Sequence, residues 1–310
     1  MGLIPVNGVS MPKYKYLPPK SVKKLGNIEL IAKQIVEGFI AGLHRSPFHG
    51  FSVEFAEYRE YTPGDDLKHL DWQQFAKSDR YYIKQYHEET NLRAWIVLDT
   101  SASMGFAGGE ASEGLTKYEY GAYLAASLMY LLQKQGDNIG LVTFSDEINK
   151  VLPAKCGQYH LQECLRTIEK TLPEGESSIA EIVHKVAEMS TRRSLIIMIS
   201  DLYDEPDKLV KAFQHLRHNR HEVLLFQILD NAELNLPFAG MIEFRDMETR
   251  GKLLINPNLL RDDYKKELDK AIKTFVKSCS DSNIDYRLLD TSVPFELALG
   301  MYLNKRARLS

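Results

Sequence analysis

Asp99, Ser101 and Ser103 follow an apolar run, Ala94-Trp95-Ile96-Val97-Leu98, and put three oxygen-bearing side chains at alternate positions. The run reads as a strand interior, so the carboxylate falls where the strand stops and its loop begins. Alternation can turn the three oxygens toward one point just past the strand. Two further stretches carry the same chemistry. In Pro173-Glu174-Gly175-Glu176-Ser177-Ser178 a glycine precedes two hydroxyls at the start of a predicted helix, with Ser178 an alternative to Ser177. In Ile196-Ile197-Met198-Ile199-Ser200-Asp201 a second apolar strand ends in a carboxylate. Two carboxylates, three or four hydroxyls and room for water make the hard-oxygen shell that Mg²⁺ (or Mn²⁺) prefers, with at least one coordination position open. Zinc would call for histidine or cysteine instead.

Such a site needs a scaffold that gathers strand ends. From residue 94 apolar strands alternate with helical patterns: strand 94–98, helix 117–134, strand 139–144, a short edge strand 148–152, helices 158–171 and 178–190, strand 194–200, helix 206–218 and strand 222–229. A hairpin-like stretch 241–255, a helix near 258–279, a strand 284–290 and a helix near 294–305 complete the pattern. This order predicts an α/β fold with a doubly wound, mainly parallel sheet covered on both faces. In such sheets ligands bind outside the carboxyl ends of the strands.

Upstream, residues 1–20 are rich in proline and glycine and read as a flexible arm. Leu25, Ile28, Ile31, Ile35, Phe39 and Leu43 recur at helical spacing, predicting an amphipathic helix that starts near Ser21. Alternation in FSVEFAEYREY and RYYIKQYHEE, around the turn signal Pro63-Gly64, predicts two strands flanking an irregular insert. The expected organisation is thus an arm at 1–20, an N-terminal helix and small β-rich region at 21–92, and an α/β domain at 93–308.

With 44% hydrophobic residues, 26% charged residues and a net charge of -3, the composition is that of an ordinary globular protein and gives no reason to expect nucleic acid as partner. The basic stretch at 208–222 lacks interleaved aromatics and reads as the solvated face of a sheet-covering helix. The longest apolar stretch, AYLAASLMYLL at 122–132, is too short to span a bilayer, and the N-terminus does not resemble a secretory signal. Cys156, Cys164 and Cys279 stand at no metal-ligand spacing and read as small buried hydrophobes in a reducing, cytoplasmic setting. Asp65, Asp66 and Asp71 could hold a second metal for hydrolysis. They read instead as a turn with Asp65 or Asp66 capping a short helix and Asp71 pairing with Arg59 or Lys68, because no histidine is placed as a base and no phosphate-binding loop is present.

Asp99-x-Ser101-x-Ser103, followed by Ser177 and Asp201, resembles the metal-ion-dependent adhesion site of von Willebrand factor A domains, with Ser177 in the position usually held by threonine. The stretch from Glu54 to Met104, which contains PGDDLKHLDW, is similar to the signature of the bacterial family called domain of unknown function 58. RDMETRGKLLINPNLLRDDY and NIDYRLLDTSVPFELALGMYLNKR fit the same family, so the likeness runs from about residue 30 to 308. The resemblance implies a von Willebrand factor A-like fold and a metal held by Asp99, Ser101, Ser103, Ser177 and Asp201, the carboxylates acting directly or through water. It also implies a MoxR-type AAA+ ATPase as partner in assembling other proteins. The expected function is a non-enzymatic adaptor whose open metal position takes an aspartate or glutamate from a protein partner. A metal-dependent hydrolase on the same oxygen shell is the alternative, and it would require a base near the metal.

Overall fold

The computed structural model of the protein describes residues 27–44, 57–60, 82–85, 92–108, 114–247 and 251–307. Contacts divide the chain into two compact units, Leu43–Asn91 and the pair of segments Met1–Gly42 and Leu92–Ser310. Within the smaller unit, β1 (Glu57–Glu60) and β2 (Tyr82–Gln85) pair antiparallel, with Glu57 opposite Gln85. The turn at Pro63-Gly64, the aspartates 65, 66 and 71, and Trp72 lie outside the described residues.

The N-terminal helix α1 runs over Ile28–His44, and the start expected near Ser21 lies outside the described residues. Asn27 supplies the start, its side-chain oxygen accepting from the amides of Glu29 and Leu30 at 2.8 and 3.2 Å, which satisfies donors that a first helical turn leaves free. Ile31, Ala32, Ile35 and Val36 form its buried stripe. The grouping differs from the expected 21–92 region, because residues up to Gly42 cluster with the larger unit.

That unit is built on β3 (Arg93–Asp99), β4 (Asn138–Phe144), β5 (Ile148–Lys155), β6 (Leu195–Ser200) and β7 (Glu222–Leu229). A separate antiparallel hairpin of β8 (Ile242–Arg245) and β9 (Lys252–Ile255) precedes the last strand, β10 (Asp285–Asp290). The main sheet has six strands in the order β10-β7-β6-β3-β4-β5. All its neighbours are parallel except β4 and β5. The sheet is therefore the expected doubly wound, mainly parallel one. Its order reverses between β3 and β6, the switch point where the crevice of such a sheet opens.

Helices α2 (Lys117–Lys134), α3 (Gln158–Lys170), α4 (Ile179–Met189), α5 (Pro206–His218), α6 (Asn231–Asn235), α7 (Pro257–Asp281) and α8 (Glu296–Ala307) accompany the strands. On one face, Trp95, Val97, Phe144, Met198 and Leu225 pack with Ile182 and Val186 of α4, Phe213 and Leu216 of α5, and Phe275 of α7. On the other lies α2, so close that a β-carbon at Gly121 would come within 3.1 Å of Ile199 and Ile228. Burial on both faces explains why β3 and β6 read as unbroken apolar runs rather than alternating ones. Trp95 stands opposite Gly140 on β4, where a β-carbon would fall 2.5 Å from the indole. The glycine thus makes room for the ring across the strands.

The start of α2 is set by a capping box, in which Glu119 N donates to Thr116 Oγ1 at 3.0 Å and Thr116 N to Glu119 Oε2 at 2.9 Å. β5 closes one edge of the sheet and extends to Lys155, past the expected end at 152. Its register with β4 is irregular between Ile139 and Leu141 and again between Thr143 and Phe144. The short α6 is an element the periodicity did not signal. Cys164 and Cys279 are buried as expected, Cys156 is exposed, and all three are free thiols. Among the described residues no helix is long and apolar enough to cross a membrane.

Candidate metal centre

The two central strands deliver the carboxylates. Asp99 is the last residue of β3, and Asp201 follows Ser200 at the end of β6. Both are fully buried, as is Ser101. Asp99 Oδ1 accepts from Ser101 N at 2.9 Å. Its Oδ2 accepts from Ser200 Oγ at 2.6 Å and from Ser177 Oγ at 3.5 Å. The hydroxyls of Ser101 and Ser103 stand 3.0 Å apart. Asp99, Ser101, Ser103 and Ser177 are therefore gathered in one group of oxygens.

Backbone bonds fasten the contributing loops. Thr100 donates through both its amide and its hydroxyl to the carbonyl of Phe144, at 2.7 and 2.8 Å. Glu174 N reaches Thr100 O at 2.8 Å, and Ala102 N reaches Gly175 O at 2.9 Å, so the first serine loop is tied to the second. Gly175 has φ 84°, a left-handed backbone that a side chain would strain. Ser178 N donates to Ser145 O, and it is the Ser177 hydroxyl that reaches Asp99. Past β6, Leu202 adopts φ 57° and donates its amide to Ser200 Oγ at 3.0 Å. A side-chain-bearing residue held left-handed costs about 1–2 kcal/mol, and such strain concentrates at functional sites.

Asp201 differs from the other four. Its Oδ2 accepts from Lys117 Nζ at 2.8 Å, and the same ammonium reaches Glu233 Oε1 at 2.7 Å. The Lys117 side chain is only 1% exposed, and its nitrogen lies 5.0 Å from the centre of the Tyr203 ring. Burial works against the ammonium, but the charges of Asp201 and Glu233 outweigh it and hold the pKa above the ordinary lysine value. Burial raises the Glu233 carboxyl despite the pull of Lys117. Ser200, Lys117 and Glu233 are participants that motif reading missed. Lys117 had a signal, since it is in helical phase with buried Tyr120, Leu124, Leu128 and Leu131, and a lysine on that stripe demands a buried counter-charge.

The donors suit a hard divalent cation. They are carboxylate and hydroxyl oxygens, pre-assembled and mostly withdrawn from water, which is the chemistry Mg²⁺ or Mn²⁺ takes. Among the described residues no three His, Cys, Asp or Glu side chains gather as metal ligands, so the hydroxyls would have to share the coordination.

Burial, with the charge of Asp201 added, pushes the Asp99 carboxyl from 3.8 up to about 7. The metal-free folded state therefore holds a proton that the unfolded chain has released, and the contribution of Asp99 to stability falls as pH rises from about 4 to about 7. Asp99→Asn removes this titration. In chelator the variant is expected to gain stability relative to wild type between pH 5 and pH 8, as read by urea denaturation at both values. A difference independent of pH would contradict the raised pKa.

The sequence profile of the family described as "Protein of unknown function DUF58" matches residues 57–273. The chain belongs to this family. The match is narrower than the likeness from about residue 30 to 308 read from the sequence. An uncharacterized protein of Mycobacterium tuberculosis is 29% identical to this DUF58 chain over 252 residues, covering 79% of this chain and 77% of that protein. YeaD, an uncharacterized protein of Bacillus subtilis, is 26% identical over 122 residues, 39% of this chain and 27% of its own. Among solved structures, the conserved hypothetical protein BatB from Bacteroides thetaiotaomicron aligns with TM-score 0.47 at 18% identity, over 70% of this chain and 99% of its own. The SpRpn10 VWA domain aligns with TM-score 0.40 at 12% identity, over 68% of this chain and 95% of its own.

Proposed function

We propose that this DUF58 chain is a non-enzymatic, metal-dependent protein-interaction adaptor. Asp99, Ser101, Ser103 and Ser177 hold Mg²⁺ or Mn²⁺, with Asp201 acting on it directly or through water. A position left open on the metal takes an aspartate or glutamate from a protein partner, for which carboxylate oxygen is a suitable ligand. A MoxR-type AAA+ ATPase is the partner class proposed, with the pair working in the assembly or maturation of other proteins.

The observation that carries this reading is the oxygen cluster at the switch point of the sheet, where a carboxylate and hydroxyls from separate loops already share hydrogen bonds. Among the described residues the groups bonded to Asp99 are serine hydroxyls and one amide. None of these is an imidazole to act as general base, and the second carboxylate, Asp201, is engaged by Lys117. The test is affinity capture from cell extract with wild type and Asp99→Ala, each in Mg²⁺ and in chelator. The expected result is an AAA+ ATPase retained by wild type in Mg²⁺ alone. Equal retention in all four conditions would refute the metal-dependent reading.

A further inference from the structure

The carboxylates at the ends of β3 and β6 are not the whole charge of this site. Glu233, on the short helix α6, turns its Oε1 to the same ammonium that Asp201 meets, and Tyr203 OH lies 3.4 Å from that oxygen. Glu233 is held there by a capping box, donating nothing and accepting from Asp230 N through Oε2 at 2.7 Å. Its side chain is 16% exposed, while Asp99, Asp201 and Lys117 are essentially closed to water. Phe106 and Tyr203 lie 5.9 and 5.0 Å from the lysine nitrogen and shield it further. Two carboxylates, Asp201 and Glu233, thus meet one ammonium, and Asp99 feels the charge of Asp201, so the three carboxylates and one ammonium leave two negative charges when all are ionised. One divalent cation would neutralise that remainder.

We propose that Lys117 and Glu233 are a built-in counter-charge pair that sets the metal affinity of the site and keeps it folded when metal is absent. This rests on the metal reading above. Lys117 occupies Asp201 Oδ2 and directs that carboxylate away from full engagement with the metal, while its own positive charge repels a cation arriving beside Asp99. Glu233 neutralises the lysine and restores the attraction. The ammonium is a positioning group, acting through Asp201 as an outer-shell partner of a metal ligand does. Without it, Asp201 and Glu233 would be left as uncompensated buried charges, and the metal-free fold would suffer most.

The two residues therefore make opposite predictions. Lys117→Met removes a positive charge and frees Asp201 Oδ2, so the Mg²⁺ or Mn²⁺ concentration at half-saturation is expected to fall about tenfold or more. Stability in chelator is expected to drop as well. Glu233→Gln leaves Asp201 alone to offset the charge of Lys117, and half-saturation is expected to rise about tenfold. Calorimetric titration of each variant with the metal alone, together with unfolding in chelator, reads both effects without any partner protein. Opposite shifts in the two variants support the proposal. Weakened binding in both would reduce the pair to structural support and overturn it, as would an unchanged midpoint in either. If Lys117→Met fails to fold even with metal, Glu233→Gln alone decides, with weaker binding supporting the proposal and unchanged binding overturning it. A wild-type protein that binds no metal would instead refute the reading on which the pair depends.

Discussion

Saturating Mg²⁺ is expected to raise the melting temperature of the wild-type protein above its value in chelator, and Asp99→Ala is expected to abolish the shift. A ligand that binds only the folded state stabilises it by about 2.7 kcal/mol at a hundredfold excess over its dissociation constant. For a folded unit of this size that corresponds to roughly 5–10 °C. The unfolded chain has no equivalent site, because Asp99, Ser177 and Asp201 meet only through the strand ends and the bonds that tie the two serine loops together. Asp99→Ala removes the acceptor on which Ser101 N, Ser177 and Ser200 converge. Differential scanning fluorimetry across a metal titration makes the comparison. Identical responses in wild type and variant would show that any stabilising metal binds elsewhere.

Trp95→Ala carries the largest expected loss of stability, about 3–5 kcal/mol by removal of a buried aromatic from a packed sheet face. Gly140→Ala alone should cost about 1–3 kcal/mol, because the new methyl is driven into the indole. The two costs should not add. Once the ring is gone, the methyl at position 140 meets open space, so Gly140→Ala in the Trp95→Ala background is expected to be close to neutral, a coupling of about 1 kcal/mol or more. Urea denaturation of the four proteins closes the cycle. Additive costs would mean that the Trp–Gly pairing across β3 and β4 is not what holds that position empty.

The fold was legible where burial imposed a continuous pattern. β7 and α2 run over the expected residues, since a strand covered on both faces is a nearly continuous apolar run, broken in β7 by Gln227, and a helix with a capping box announces its own start. α6 was missed because five residues are too few to show a period. Its Asp230 and Glu233 nonetheless form a capping box that spacing alone could have flagged. Of α1, the described part starts on the Asn27 cap, whose side chain accepts from the amide of Glu29. The candidate site divides in the same way. Asp99, Ser101 and Ser103 lie within one loop, and their alternation is visible locally. Lys117 finds its carboxylates 84 and 116 residues further along the chain. A lysine at the start of a helix ordinarily faces water, so its burial becomes apparent only when the apolar phase of the whole helix is followed.

The sheet ends at β5 in a way that bears on how neighbouring chains can approach it. Pro153 brings no amide hydrogen, Lys150 and Lys155 are exposed on the same strand, and the register against β4 is broken at two points. A chain arriving along this edge would find no regular ladder of donors and acceptors to copy, and it would have to desolvate lysines to pair at all. Extension of the sheet into a polymer is blocked from this side, and so is recognition by strand addition. A partner approaching from here must bind by side-chain and loop contacts instead, a mode in which affinity can be switched on and off without remaking a backbone lattice.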